Sequence, residues 1–184
     1  AVDMPGVGNS GEVLSKIKDN VTVEYRLVNE EATSAVNAND ENKNARRQLR
    51  RLAAEGKASD FEIEDILLDV AARSSLDTNA PGQKLMIRWE RPQNNRQAKA
   101  RPYSFSVVGP PVMDGDDMRS ANSSLNPNSA WYLISFALTE EGSATFCNLT
   151  SEFIGRRMAI VWADRVVSDP QIQGAICGGN GQIT

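Results

Sequence analysis

Met158–Trp162 is an almost continuously apolar run, Met-Ala-Ile-Val-Trp, bounded by Gly155-Arg156-Arg157 before it and Ala163-Asp164 after it. A run this short does not make a helix, and one that is apolar at every position has no face to give to water. It therefore reads as a central strand covered on both sides. Arg165–Ser168 follows closely enough to pair with it through a short turn.

The rest of the strand signal is weaker but consistent. Val21, Val23, Tyr25 and Leu27 alternate with Thr22, Glu24 and Arg26, the period of two expected for a strand with one covered face. Leu85, Ile87 and Trp89 alternate in the same way, as do Tyr103, Phe105 and Val107, and the polar, basic segment 91–101 between them suggests a hairpin with a long loop. Residues 131–138 read as a further strand. Gly109-Pro110-Pro111 is expected to break the strand before it.

Helices are read at five places. Asn9 or Ser10 can cap a short one carrying Val13, Leu14 and Ile17. Residues 45–54 favour helix by propensity and stop at Gly56, and Asp60 begins another with Ile63, Ile66, Leu67, Val70 and Ala71. Thr139 precedes a helix with Phe146, Leu149 and Phe153 on one stripe. Residues 29–42 read as polar loop, 114–121 as a short helix capped by Asp114, and 122–129 as a polar linker. Without a regular βαβ repeat, the class is α+β, with mainly antiparallel sheets and helices packed on one face.

Several functions are excluded or disfavoured by composition. The chain has no histidine, which removes Ser-His and Cys-His catalysis and most zinc sites. A net charge of −4 gives no basic footprint for nucleic acid, and no segment approaches the ~18 consecutive apolar residues of a membrane helix. The first residue is Ala1, in an apolar segment, and the last is Thr184, in a strand-like pattern, so a domain of a longer protein is expected, with an intact short protein as the alternative. Cys147 and Cys177 are either buried thiols or one disulfide.

The chemical candidates each have a plainer reading. Gly178-Gly179-Asn180-Gly181 lacks the Lys-Ser/Thr ending of a phosphate loop and precedes a strand-like segment, so a tight turn is expected. Asp114, Asp116 and Asp117 lack the other ligands of a calcium loop and suit helix capping, and Glu140 and Glu141 suit the first turn of a helix. Arg46, Arg47, Arg50 and Arg51 read as a solvated helix face paired with nearby acids. The sequons at Asn20, Asn122 and Asn148 carry almost no weight. No catalytic, metal or cofactor residue is assigned, and neither a small-molecule substrate nor a nucleic-acid partner is expected.

A resemblance supplies what these motifs do not. Phe136-Ala137-Leu138-Thr139-Glu140-Glu141-Gly142-Ser143-Ala144-Thr145-Phe146, then Leu149-Thr150, Gly155-Arg156-Arg157-Met158-Ala159-Ile160-Val161, Val166-Val167-Ser168, Pro170, Ile172, Ile176, Gly178-Gly179 and Gln182-Ile183-Thr184 follow one another in order. This series resembles the first extracytoplasmic domain of SecD, the accessory subunit of the Sec protein-export machinery. Val2-Asp3-Met4-Pro5-Gly6-Val7 with Val23-Glu24-Tyr25-Arg26-Leu27-Val28 resembles the base segment of that family, and Pro111-Val112-Met113-Asp114-Gly115-Asp116-Asp117 with Ala121 is a third, weaker match. Trp162-Ala163-Asp164-Arg165 stands where the family has a Leu-Asp-Gly turn, and Asp169 where it has Ala.

The resemblance implies a partial ferredoxin-like base over residues 1–28 and a head over 29–184, with a helical insertion near 41–75 and a return to the base near the C-terminus as an option. It implies a non-enzymatic domain on the periplasmic face of the inner membrane, contacting unfolded secretory polypeptide alongside SecF and the SecYEG channel in proton-motive-force-driven export. The contact residues are not assigned; Trp89, Tyr103 and Trp131 are expected in the core. The alternative is a non-catalytic module that docks a folded envelope partner.

Overall fold

The computed structural model describes residues 23–73, 81–90, 101–125 and 132–183. In chain order the elements are β1 (Val23–Val28), α1 (Glu30–Ala38), α2 (Asp40–Ala54), α3 (Asp60–Arg73), β2 (Lys84–Glu90), β3 (Arg101–Asp114), a 3-10 turn (Gly115–Asp117), β4 (Met118–Leu125), β5 (Tyr132–Leu138), α4 (Glu140–Glu152), β6 (Met158–Trp162), β7 (Arg165–Ser168) and β8 (Asn180–Ile183). The class is α+β, as the pattern predicts. The expected segments 1–20, 91–100 and 126–129, and Trp131, lie outside the described residues.

Five strands close into a barrel in the order β1-β3-β2-β7-β6, with β6 returning to β1, and β4-β5-β8 form a second sheet. β6 is central, as its composition requires. Ala159 and Val161 point inward with Val28, Met86, Val108 and Val166, while Met158 and Ile160 point outward into a second cluster. Each fully buried aliphatic side chain contributes about 1.5–3 kcal/mol, so two-sided burial holds this strand strongly.

Closure depends on β3. The expected break at Gly109-Pro110-Pro111 does not occur; the strand runs through it, with register irregularities against β1 at Arg26 and Val28. Proline cannot donate to a ladder, so the segment bulges there. Before it β3 pairs with β2, and after it with β1, which lets one long strand join two neighbours around the barrel.

Helices cover two sides of this barrel, not one. Val36 of α1, Leu49 of α2 and Ile63, Leu67 and Ala71 of α3 pack on Ile87, Phe105 and Val107, while Phe146 of α4 packs on Tyr25, Met113, Phe136, Met158 and Ile160 on another side. The expected loop at 29–42 is also corrected: Glu30–Ala38 is a helix, and Asn39 both ends it and caps α2. Its polar residues are consumed by β3. Thr33 Oγ1 accepts from Val107 N at 2.9 Å, and the Asn37 amide accepts from Phe105 N at 3.1 Å and donates to Phe105 O at 2.7 Å.

A further correction concerns 114–125. Asp114 does cap a short turn, with a capping box closed by Asp117, but the turn ends at Asp117 and strand β4 follows where helix and linker were expected. Backbone pairing with β5 along its whole length makes the strand, which small polar residues permit but do not announce.

The β6–β7 turn forms without glycine. Ala163 and Asp164 both sit at positive φ, 49° and 60°, as a two-residue hairpin turn requires. Glu64 of α3 joins the helical layer to β7: it is buried, pairs with Arg165 at 2.7 Å and accepts from Trp89 Nε1 at 2.9 Å. The Arg165 guanidinium lies 4.9 Å from the ring centres of both Phe61 and Trp89.

Candidate functional site: an apolar cleft under a strap

Residues 170–176 cross the molecule as a strap over an apolar cleft of about 520 Å³. Its floor comes from four elements: Tyr25 of β1, Phe136 of β5, Phe146 of α4, and Met158 and Ile160 of β6. Tyr25 and Phe136 each meet Phe146 edge to face, with ring centres 6.3 and 5.9 Å away. Outward-facing strand positions and one helical stripe thus converge on a single surface.

The near end of the strap is held by backbone pairing. Met158 N donates to Pro170 O at 3.0 Å, Ile172 N to Arg156 O at 2.9 Å, and Gly155 N to Ile172 O at 2.8 Å. Just before it, buried Asp169 pairs with Arg88 at 3.1 Å and with Arg157. Burial pushes the Asp169 carboxyl above the ordinary aspartate range, against the pull of the two guanidinium groups.

The far end is held by α4. Thr150, fully buried, donates its hydroxyl to Phe146 O at 2.7 Å and accepts from Ile176 N at 2.9 Å. One residue on, Cys177 is bridged to Cys147, which decides between the two readings of the cysteines. Sequence reasoning places Thr150 on a helix stripe beside Cys147 and Ile154; its tie to the strap depends on a partner 26 residues away. The Tyr25 hydroxyl contacts Met118 Sδ at 3.3 Å, and burial, then Asp117, raises its pKa.

The other candidates fall into place around this cleft. Gly179 makes a positive-φ turn at +65°, and a Cβ on Gly181 would run into the Phe136 ring, so these glycines shape the approach of β8 to β5. Asp116, Asp117, Glu140 and Glu141 do come together, lining a separate hollow with Thr139 and Ala144. Thr139 caps α4 there, accepting from Gly142 N at 3.0 Å. Among the described residues no group of three or more histidine, cysteine, aspartate or glutamate side chains is arranged to hold a metal ion.

On α2, Arg46 turns inward over Phe105 and bonds Asn37 O at 2.9 Å, Arg51 pairs with Glu55, and Arg47 and Arg50 are exposed. Asn148 is exposed on α4. Trp89 is half-buried, and the Tyr103 side chain lies outside what is described. The cleft is lined mainly by apolar side chains, with the hydroxyls of Tyr25 and Thr150 and the polar residues Gln171 and Gln173 also on its wall.

The sequence model of the family described as "SecDF, P1 head subdomain" matches residues 91–184, just over half of the chain. The chain belongs to that family. Most of the cleft wall, the strap, Thr150 and both cysteines lie within the match, whereas β1 and helices α1–α3 precede it.

Full-length relatives agree with this P1 assignment. The "Protein translocase subunit SecD" of Rickettsia conorii is 40% identical over 73 residues, covering 40% of this chain and 14% of the relative. That of Acetobacter pasteurianus is 35% identical over 72 residues, covering 39% and 14%. The chain thus spans a small part of these relatives. The fold is similar to that of a chain described as "Structure and function of a membrane component SecDF that enhances protein export", with a TM-score of 0.52, 23% identity, and coverage of 99% of this chain and 64% of that one. A second SecDF crystal structure, in a "Super-membrane-facing form", has the same TM-score and identity, covering 96% of this chain and 18% of its own. Among the described residues no helix is long and apolar enough to cross a membrane.

Proposed function

We propose that this chain is the extracytoplasmic head-bearing part of a SecD-like accessory subunit, and that its apolar cleft receives apolar side chains of an unfolded polypeptide during export. The observation that carries this reading is the cleft itself: about 520 Å³, walled by aromatic and aliphatic side chains from four elements, with residues 170–176 across it. Such a surface suits a client of variable sequence, because apolar contact tolerates many side chains and holds none of them by a specific polar pattern.

On this reading the domain stands on the periplasmic side, works beside SecF and the SecYEG channel, and contributes to export driven by the proton-motive force without carrying protons. Residues 1–28 supply part of a ferredoxin-like base and 29–184 the head, with a helical insertion near 41–75, where α2 and α3 lie. It acts without catalysis, cofactor, nucleic acid or small-molecule substrate. The absence of histidine from the sequence and the cleft's apolar walls support a binding role.

The test is site-specific photocrosslinking in the full-length subunit, with the probe at Gln173 or Ala175 on the strap and a stalled secretory chain in the channel. Adducts from these positions, and their absence from Arg47 on α2, are the expected result. A folded envelope protein as the sole adduct would replace this reading with that of a docking module.

A further inference from the structure

The two halves of the strap are held by different means. Residues 170–172 are tied by backbone bonds to residues 155–158. Among the described residues, 173–175 make no backbone hydrogen bond to the rest of the protein, and a Cβ on Gly174 would meet nothing within 4 Å. The chain is next caught by the Ile176 N to Thr150 Oγ1 bond, by packing of Ile176 on the core, and by the Cys147–Cys177 bridge. Gly179 O, accepting from Leu138 N at 2.8 Å, then leads it into β8.

We propose that the Cys147–Cys177 bridge is a redox-controlled clasp: oxidised, it holds residues 173–177 over the apolar cleft, and reduced by a dithiol, it releases them and opens the cleft. The proposal deepens the reading of the cleft as a polypeptide site, on which it rests, by naming what sets access to it. Geometry places the bridge where this requires. Cys147 is rooted in α4, whose Phe146 is floor of the cleft and whose Thr150 holds the strap, while Cys177, which is exposed, directly follows the strap's last residue, Ile176.

Exposure also decides the chemistry, because exchange needs in-line access to a sulfur. A thiolate of the dithiol attacks Sγ of Cys177, forming a mixed disulfide and expelling Cys147 as a thiolate. The second thiolate of the dithiol attacks its own sulfur in that mixed disulfide and expels Cys177. Two electrons pass to the bridge, the dithiol becomes a disulfide, and its two protons go to the cysteine thiolates. With the clasp open, the Ile176 N to Thr150 Oγ1 bond and the packing of Ile176 are, among the described residues, what ties the span between Ile172 and Gly179 to α4 and the core.

Hydrogen exchange on the purified 184-residue chain, oxidised and after dithiothreitol, reads the clasp directly. Amides of 173–178 are expected to exchange at least about tenfold faster on reduction, with β1 and β6 unchanged, since a local opening leaves the core protected. The apolar dye 1-anilinonaphthalene-8-sulfonate should then bind more strongly to the reduced chain. Thr150→Val should speed strap exchange in the reduced chain and leave the oxidised one nearly unaffected.

Equal strap exchange in both redox states overturns the clasp, as does equal acceleration of strap and β6, which makes the bridge a staple of the whole fold. A strap that opens without dye binding overturns it too. Carboxymethylated α-lactalbumin, a permanently unfolded chain, separates the two readings. If dye enters on reduction but this polypeptide binds neither form, the clasp stands and the polypeptide reading of the cleft falls.

Discussion

The side-chain amide of Asn37 takes both backbone groups of Phe105, accepting from its N–H at 3.1 Å and donating to its C=O at 2.7 Å. Where β1 ends at Val28, Asn29 N continues the ladder to Val107 O, and Thr33 and Asn37 carry it onward from a helix. Helix α1 thus finishes the edge of β3 that a strand would otherwise cover.

Replacing Asn37 with Ala leaves the Phe105 groups without this partner beneath the helix. The expected loss is about 2–3 kcal/mol, from desolvated and unsatisfied polar groups, measured by urea unfolding. Asn37→Asp keeps the acceptor and loses the donor, so it should fall between. A loss under about 0.5 kcal/mol for Asn37→Ala would mean that water replaces the amide freely.

The glycine-free β6–β7 turn holds Ala163 at φ 49°. Ala163→Gly is expected to raise stability by about 0.5–1 kcal/mol, because relief of the left-handed backbone outweighs the added freedom of the unfolded chain. A lowered thermal midpoint contradicts this.

Buried Glu64 pairs at 2.7 Å with Arg165, whose side chain is only partly covered. Glu64→Ala leaves the guanidinium beside Phe61 and Trp89, and the Trp89 N–H, without this acceptor and should destabilise by about 1–3 kcal/mol. The double change Glu64→Leu with Arg165→Leu should recover a large part of that in a mutant cycle. If it is no better than the single variant, the charge pair is not what the layer depends on.

Two aspartates should tilt stability against pH in opposite directions. Asp169, raised by burial, binds its proton more tightly in the folded chain, so its contribution is full below the unfolded aspartate pKa and declines as pH rises through the folded value. Asp164, lowered chiefly by its bond to Lys84, contributes above the unfolded value and loses this as pH falls; being largely exposed, its effect is small. Urea midpoints measured from acid to neutral pH should show Asp169→Asn removing the loss on the rising side. An unchanged slope sinks the assignment.

Gly181 is paired with Phe136, whose ring occupies the space of a Cβ. Gly181→Ala forces that ring or the β8 backbone aside and should destabilise by about 1–3 kcal/mol, the range for overpacking. Phe136→Leu in the same chain should restore part of it; a neutral Gly181→Ala would show that β8 shifts at no expense.

Much of the barrel was legible in the chain. Met158–Val161 are buried on both faces of their strand because these neighbouring side chains leave no polar face, with Trp162 exposed at its end, and the alternation at Tyr25 and Leu27 marks the outer face of β1. Helices α2 and α4 announce themselves by propensity, capping and spacing, and the ordered series from Phe136 onward carried the family. These are local properties, fixed by side chains within a few residues of one another.

The remainder was decided in three dimensions. Helix α1 reads as loop because its polar residues Thr33 and Asn37 are satisfied by a strand 74 and 68 positions away. Barrel closure depends on β3 exchanging partners at a Gly-Pro-Pro that locally signals a break. The cleft joins Tyr25 to Ile176, and the cysteines become a bridge only when α4 and the strap bring their Cα atoms to 4.4 Å. Composition and periodicity record what each segment must bury; which distant segment buries it is determined only when the chain closes on itself.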